Sequence, residues 1–96
     1  GQRTICDSIM TPIPNEVTFP INLNLLAGGL AVSDAQVRDA MRFAYDHFRI
    51  VVEPGAAVGI AAVLHGMVEI EDRVVATVVT GGNVDPARFC ELLQTE

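Results

Sequence analysis

Lysine is absent. The six basic residues among the 96, Arg3, Arg38, Arg42, Arg49, Arg73 and Arg88, are all arginine. Any chemistry that needs a side-chain primary amine must therefore find it outside this sequence. Basic charge is scarce as well. The net charge of −6 leaves little to neutralise phosphates, so no nucleic-acid partner is expected. Cys6 and Cys90 are the two cysteines. They have neither metal-site spacing nor a disulfide framework, and are read as free buried thiols in a reducing cytoplasm. No apolar run reaches the length of a membrane span, and no signal peptide is visible. A cytoplasmic protein without a membrane partner is expected.

What is present is core-forming. Half of the residues are hydrophobic and only 19% are charged, which is the composition of an ordered domain. The length suits one unit over residues 1–96. It opens at Gly1 without a methionine and without a disordered lead-in.

Helix and strand signals alternate. Residues 16–27 carry a helical pattern with Phe19, Leu23 and Leu26 on one side. Pro20 is tolerated only in a first turn, so this helix should start near Thr18 and stop at Gly28-Gly29. Ser33 and Gln36 form a capping box. It opens a helix from Asp34 to about Phe48, with Val37, Met41, Ala44 and Phe48 as its buried stripe. Arg38, Asp39, Arg42 and Asp46 fall on its wet side. Residues 55–65 are apolar or small all round, as in a helix packed on both faces. His65 at its end is read as a capping residue, and His47 as a surface one. Asp85 caps a last helix from Pro86 to about Leu93, with Phe89, Leu92 and Leu93 inward. Leu30–Val32, Ile50–Val52 and Val74–Val79 are the strand signals. The order predicts an α/β fold, with layered helices on a small, mostly parallel sheet.

The strongest strand signal runs into Thr80-Gly81-Gly82-Asn83-Val84-Asp85. A buried strand, a glycine turn and a helix start place backbone and one hydroxyl at the carboxyl end of a sheet, where open α/β sheets bind ligands. Two glycines permit a sharp turn and a close approach to bare backbone. A ligand-free turn explains the same pattern equally well, and neither G-x-G-x-x-G nor a P-loop is present.

Three stretches then bear on function: TICDSI at residues 4–9, VVEPGAAVGIAAVL at 51–64 and VVTGGNVD at 78–85. With AVSDAQVRDAM between them, the sequence resembles the C-terminal part of the threonine and serine dehydratases, pyridoxal-phosphate enzymes of fold type II that include serine racemase. The resemblance spans the chain, and it rests on the order and spacing of the motifs.

The resemblance implies that the Thr80 hydroxyl bonds the pyridine nitrogen of pyridoxal phosphate. It implies that Gly81 and Gly82 approach the cofactor and that Glu53 lies near its ring. Glu53 reads equally as an exposed loop acid at a helix start. Asp7 falls in the family's T-I-x-D-G-like pattern, but Ser8 stands where the family has glycine. The family's Schiff-base lysine and glycine-rich phosphate loop have no counterpart here. The expectation is a C-terminal segment of a hydroxy-amino-acid dehydratase, inactive alone, with a missing N-terminal catalytic segment as partner. The alternative is a free-standing, non-enzymatic α/β binding or assembly module. An uncovered apolar helix face and an open sheet edge also predict a homo-oligomer.

Overall fold

The structure is a computed structural model that describes residues 4–9, 16–26 and 28–95. Among the described residues four α-helices form its frame: α1 (Thr18–Leu25), α2 (Asp34–Phe43), α3 (Val58–Leu64) and α4 (Pro86–Gln94). Short 3-10 turns at Asp7–Ile9 and Pro54–Ala57 precede α1 and α3. Helix α2 lies at the centre, packed against α3, α4 and the Pro54–Ala57 turn.

The capping box starts α2 as the sequence reading expects. Ser33 Oγ accepts from the Gln36 amide at 3.1 Å, and the Ser33 amide donates to Gln36 Oε1 at 2.9 Å. Two of the helix's orphan donors are thereby satisfied. Val37, Met41 and Ala44 are buried, as the stripe requires, but Phe48 is 59% exposed. The physical reason is a change of pitch: α2 widens into a π-helical turn over Ala44–Phe48. A wider turn shifts the register and carries Phe48 off the stripe. Arg49 then stops the helix in the left-handed conformation, with φ of 58°.

The side of α2 read as wet does more than meet solvent. Arg42 pairs with Asp39 and reaches the end of α4, donating to the Leu93 carbonyl at 2.7 Å and the Thr95 carbonyl at 2.9 Å. Those are carbonyls that a helix terminus leaves unpaired. His65 ends α3, with Nε2 3.5 Å from Asp39 Oδ2. His47 is exposed as expected and stacks on Phe43.

The segment 55–65 is helical, though it enters as the 3-10 turn before becoming α3. Ala56, Ala57, Ile60 and Ala61 are buried there. Phe89 and Leu92 of α4 close the core, with Leu93 partly buried. Helix α1 starts at Thr18 with Pro20 in its first turn, but its residues Leu23 and Leu25 are exposed, as is the following Leu26. The side chain of Phe19 lies outside the described ones.

The sheet differs from expectation. None of Leu30–Val32, Ile50–Val52 and Val74–Val79 forms a strand among the described residues. A strand exists through its neighbours, because its amides bond across a ladder and not along the chain. One such bond is in place, from the Glu53 amide to the Gly81 carbonyl at 3.1 Å. The run 74–79, read as doubly buried, is exposed throughout. The cysteines divide too: Cys6 is buried as expected, whereas Cys90 is exposed.

Candidate active-site cleft

Three distant pieces of sequence meet in one place. A cleft of about 140 Å³ is lined by Ile5 and Asp7, by Glu53 and Pro54, and by Asn83, Val84, Asp85 and Arg88. The three stretches quoted for the family resemblance each supply part of its wall.

Local chemistry fixes each wall. At the first, Asp34 of α2 reaches back, accepting from the Thr4 hydroxyl and, at 3.2 Å, from the Ile5 amide. The Cys6 amide donates to Thr4 Oγ1 at 3.3 Å. The Asp7–Ile9 turn therefore hangs on the first turn of α2. Burial pushes the Cys6 thiol up from its ordinary value. The Thr4 hydrogen bond opposes this, and the nearby charges of Asp34 and Asp7 add to it. A thiol held up in this way is protonated and unreactive at neutral pH.

The second wall is Glu53-Pro54. Glu53 is half-buried, and its amide holds the Gly81 carbonyl. Its carboxylate lies over Gly81, where an added Cβ would stand 3.0 Å from Oε1. At Gly82 an added Cβ would lie 2.5 Å from the Val51 carbonyl oxygen. At Gly82 a side chain would collide with backbone, which accounts for glycine there; at Gly81 the contact is tight, and the flexible Glu53 carboxylate would have to give by a few tenths of an ångström.

The third wall is the turn into α4. The Val84 amide donates to the Gly82 carbonyl at 2.9 Å, which makes the turn tight. Asp85 Oδ2 accepts from the Arg88 amide at 3.1 Å, the N-cap that the sequence foretold. The same cap brings the Arg88 side chain to the cleft beside Asp7, Glu53 and Asp85.

Of the four residues singled out, Glu53 lines the cleft, and Gly81 and Gly82 form the backbone beside it. Thr80 is exposed next to them and is not among the lining residues. No group among the described residues takes its hydroxyl. Sequence reasoning missed Arg88. The signal was available, since an N-cap at Asp85 fixes where the residue three positions on must lie.

Comparisons with known proteins show the family. A family model described as "Pyridoxal-phosphate dependent enzyme" matches residues 1–81, and the chain belongs to that family, in its α/β fold type II branch. The family's cofactor is pyridoxal phosphate. The chain is 35% identical over 83 residues to the β-hydroxyaspartate dehydratase of Paracoccus denitrificans, covering 86% of this chain and 26% of that protein. It is 33% identical over 85 residues to the L-threonine ammonia-lyase of Thermotoga maritima, covering 88% and 21%. With the serine racemase of Dictyostelium discoideum it shares 30% identity over 95 residues, covering 95% and 28%. The chain spans about a quarter of the length of these relatives. No described helix is long and apolar enough to cross a membrane.

Proposed function

We propose that this chain is the C-terminal segment of a pyridoxal-phosphate-dependent hydroxy-amino-acid dehydratase, which converts serine or threonine to a 2-oxo acid and ammonia. In this reading it acts in the cytoplasm, and not alone. The observation that carries the proposal is the convergence of Asp7, Glu53 and Asn83–Asp85 on one cleft beside Gly81 and Gly82.

The residues fit the cofactor chemically. The two glycines put no side chain on the turn beside Glu53, and a planar ring lying on that turn would meet backbone alone. Thr80 is exposed and its hydroxyl has no hydrogen bond among the described residues, and a hydroxyl is a donor that is essentially never ionised. It suits an unprotonated pyridine nitrogen, whereas a carboxylate would favour the protonated ring by accepting its N–H. Glu53 stands at the edge of the same surface. Bound pyridoxal phosphate supplies an electron sink, and an unprotonated ring is a weaker one that favours β-elimination over deeper carbanion chemistry. The amine that holds the cofactor must come from another segment, because this chain has no lysine. In the assembled enzyme, Leu30–Val32, Ile50–Val52 and Val74–Val79 belong to a mostly parallel sheet. Alone, the same uncovered surface favours homo-oligomers.

The second reading, a free-standing α/β module for binding or assembly, is favoured by the absence of lysine. Co-expression decides between the two. Joined to the N-terminal segment of a relative such as the Paracoccus dehydratase, the chain should restore 2-oxo acid formation from a hydroxy amino acid. Stable assembly without turnover would favour the module.

A further inference from the structure

The stretch leading into Thr80-Gly81-Gly82 has two unlike faces. Val74 and Val78 are 102% and 79% exposed, whereas Val75 and Val79 are 42% and 41%. This alternation has the period of an extended chain lying with one face on a support. The support is α3. Val75 and Thr77 line an apolar hollow of about 210 Å³ with Phe43, Phe48, Ile60 and Leu64. By the same alternation Thr80 falls on the face of Val78, away from α3.

At one point the stretch touches α3 without a gap. A Cβ added to Gly59 would overlap the Thr77 hydroxyl and stand 3.1 Å from the Thr77 Cβ. Rotating the Thr77 side chain would clear the hydroxyl but not the Cβ, and a β-branched side chain has few rotamers to spare. Helix α3 cannot easily retreat, because Ala61, two residues on and so nearly opposite Gly59 on the helix, is fully buried. The stretch 74–80 is exposed and outside any ladder among the described residues, so it is the part that would yield. Its next attachments are the Glu53 amide on the Gly81 carbonyl and the close pass of Gly82 at Val51.

We infer that Gly59 and Thr77 are a positioning pair: the bare backbone of Gly59 sets how deeply the stretch seats on α3, and so sets the place of Thr80 and Gly81 relative to Glu53. The seat itself is independent of any cofactor. Its consequence for the cofactor ring rests on the proposed role of Thr80.

The test is a double-mutant cycle in the 96-residue chain, read by amide hydrogen exchange. In Gly59→Ala, protection of the Glu53 amide should fall about tenfold or more, while the amides of α2 keep theirs. In the Thr77→Gly background the same Gly59→Ala change should have no effect. Unaltered Glu53 protection in Gly59→Ala overturns the inference. So does an equal loss in both backgrounds. Should Gly59→Ala unfold the whole chain, recovery of α2 protection in Gly59→Ala/Thr77→Gly supports the contact, and failure to recover overturns it. A second readout uses the enzyme assembled with an N-terminal segment. There, Gly59→Ala should shift the cofactor absorbance in the direction that Thr80→Ala does and lower kcat more than it changes KM. If the exchange cycle behaves as expected and the absorbance is unmoved, the seat stands and the proposed role of Thr80 falls.

Discussion

Helix α2 and the stretch 74–79 carry the two clearest patterns in the sequence, and they meet opposite fates. Helix α2 is buried along Val37, Ala40 and Met41. The stretch 74–79 is left open to solvent. The difference lies in where each keeps its hydrogen bonds. A helix pairs its amides within itself, so it needs only a cover for one face, and α3 and α4 provide that. An extended stretch needs a neighbour for every amide. Among the described residues one such bond is present, from Glu53 to Gly81. Helices α3 and α4 thus pack on α2, whereas the extended stretch 74–79 stays exposed and outside any ladder among the described residues.

Core truncation should widen that contrast most. Met41→Ala removes a fully buried side chain of α2, one of the largest in the core. A loss of about 2–5 kcal/mol is expected, measurable by urea unfolding. Asp85→Ala removes the cap of α4 and should cost about 1 kcal/mol; a loss above that range would mean that Asp85 also holds the cleft together. Val78→Ser should change the stability of the isolated chain by no more than about 0.5 kcal/mol. A large loss there would show that the stretch is covered after all.

The two thiols give a chemical version of the same comparison. Cys90 should react with an alkylating reagent in the folded chain and Cys6 should not, as mass mapping would report. The raised Cys6 value also has a sign. Above the ordinary thiol range the unfolded chain loses the Cys6 proton first, so the folded state holds more protons and its stability falls as pH rises. Cys6→Ala should flatten that alkaline decline.

How much of this was legible in the sequence depended on the range of each interaction. The caps at Ser33 and Asp85 were readable because a cap spans three residues. The buried side of α4 was readable because one helical period fixes it. The π-turn at Ala44–Phe48 was not, since no residue type there marks a change of pitch, and Phe48 was misplaced with it. The role of Arg42 depends on where α4 ends in space, which spacing along the chain does not encode. The strands were legible as types and not as outcomes, because pairing is decided by residues elsewhere. For the cleft, motif order named Glu53, Gly81 and Gly82, whereas Arg88 emerged only from the position of the Asp85 cap.

The central claim is that Thr80 serves the ring nitrogen of a bound cofactor in an assembled enzyme. Turnover and the cofactor spectrum of that enzyme, compared among the parent, Thr80→Ser and Thr80→Ala, test it most directly. Thr80→Ser retains the hydroxyl and should match the parent. Thr80→Ala should leave a buried partner unpaired at about 1–3 kcal/mol, lowering the rate roughly ten- to a hundred-fold and shifting the cofactor absorbance. Full turnover with an unchanged spectrum in Thr80→Ala would contradict the account.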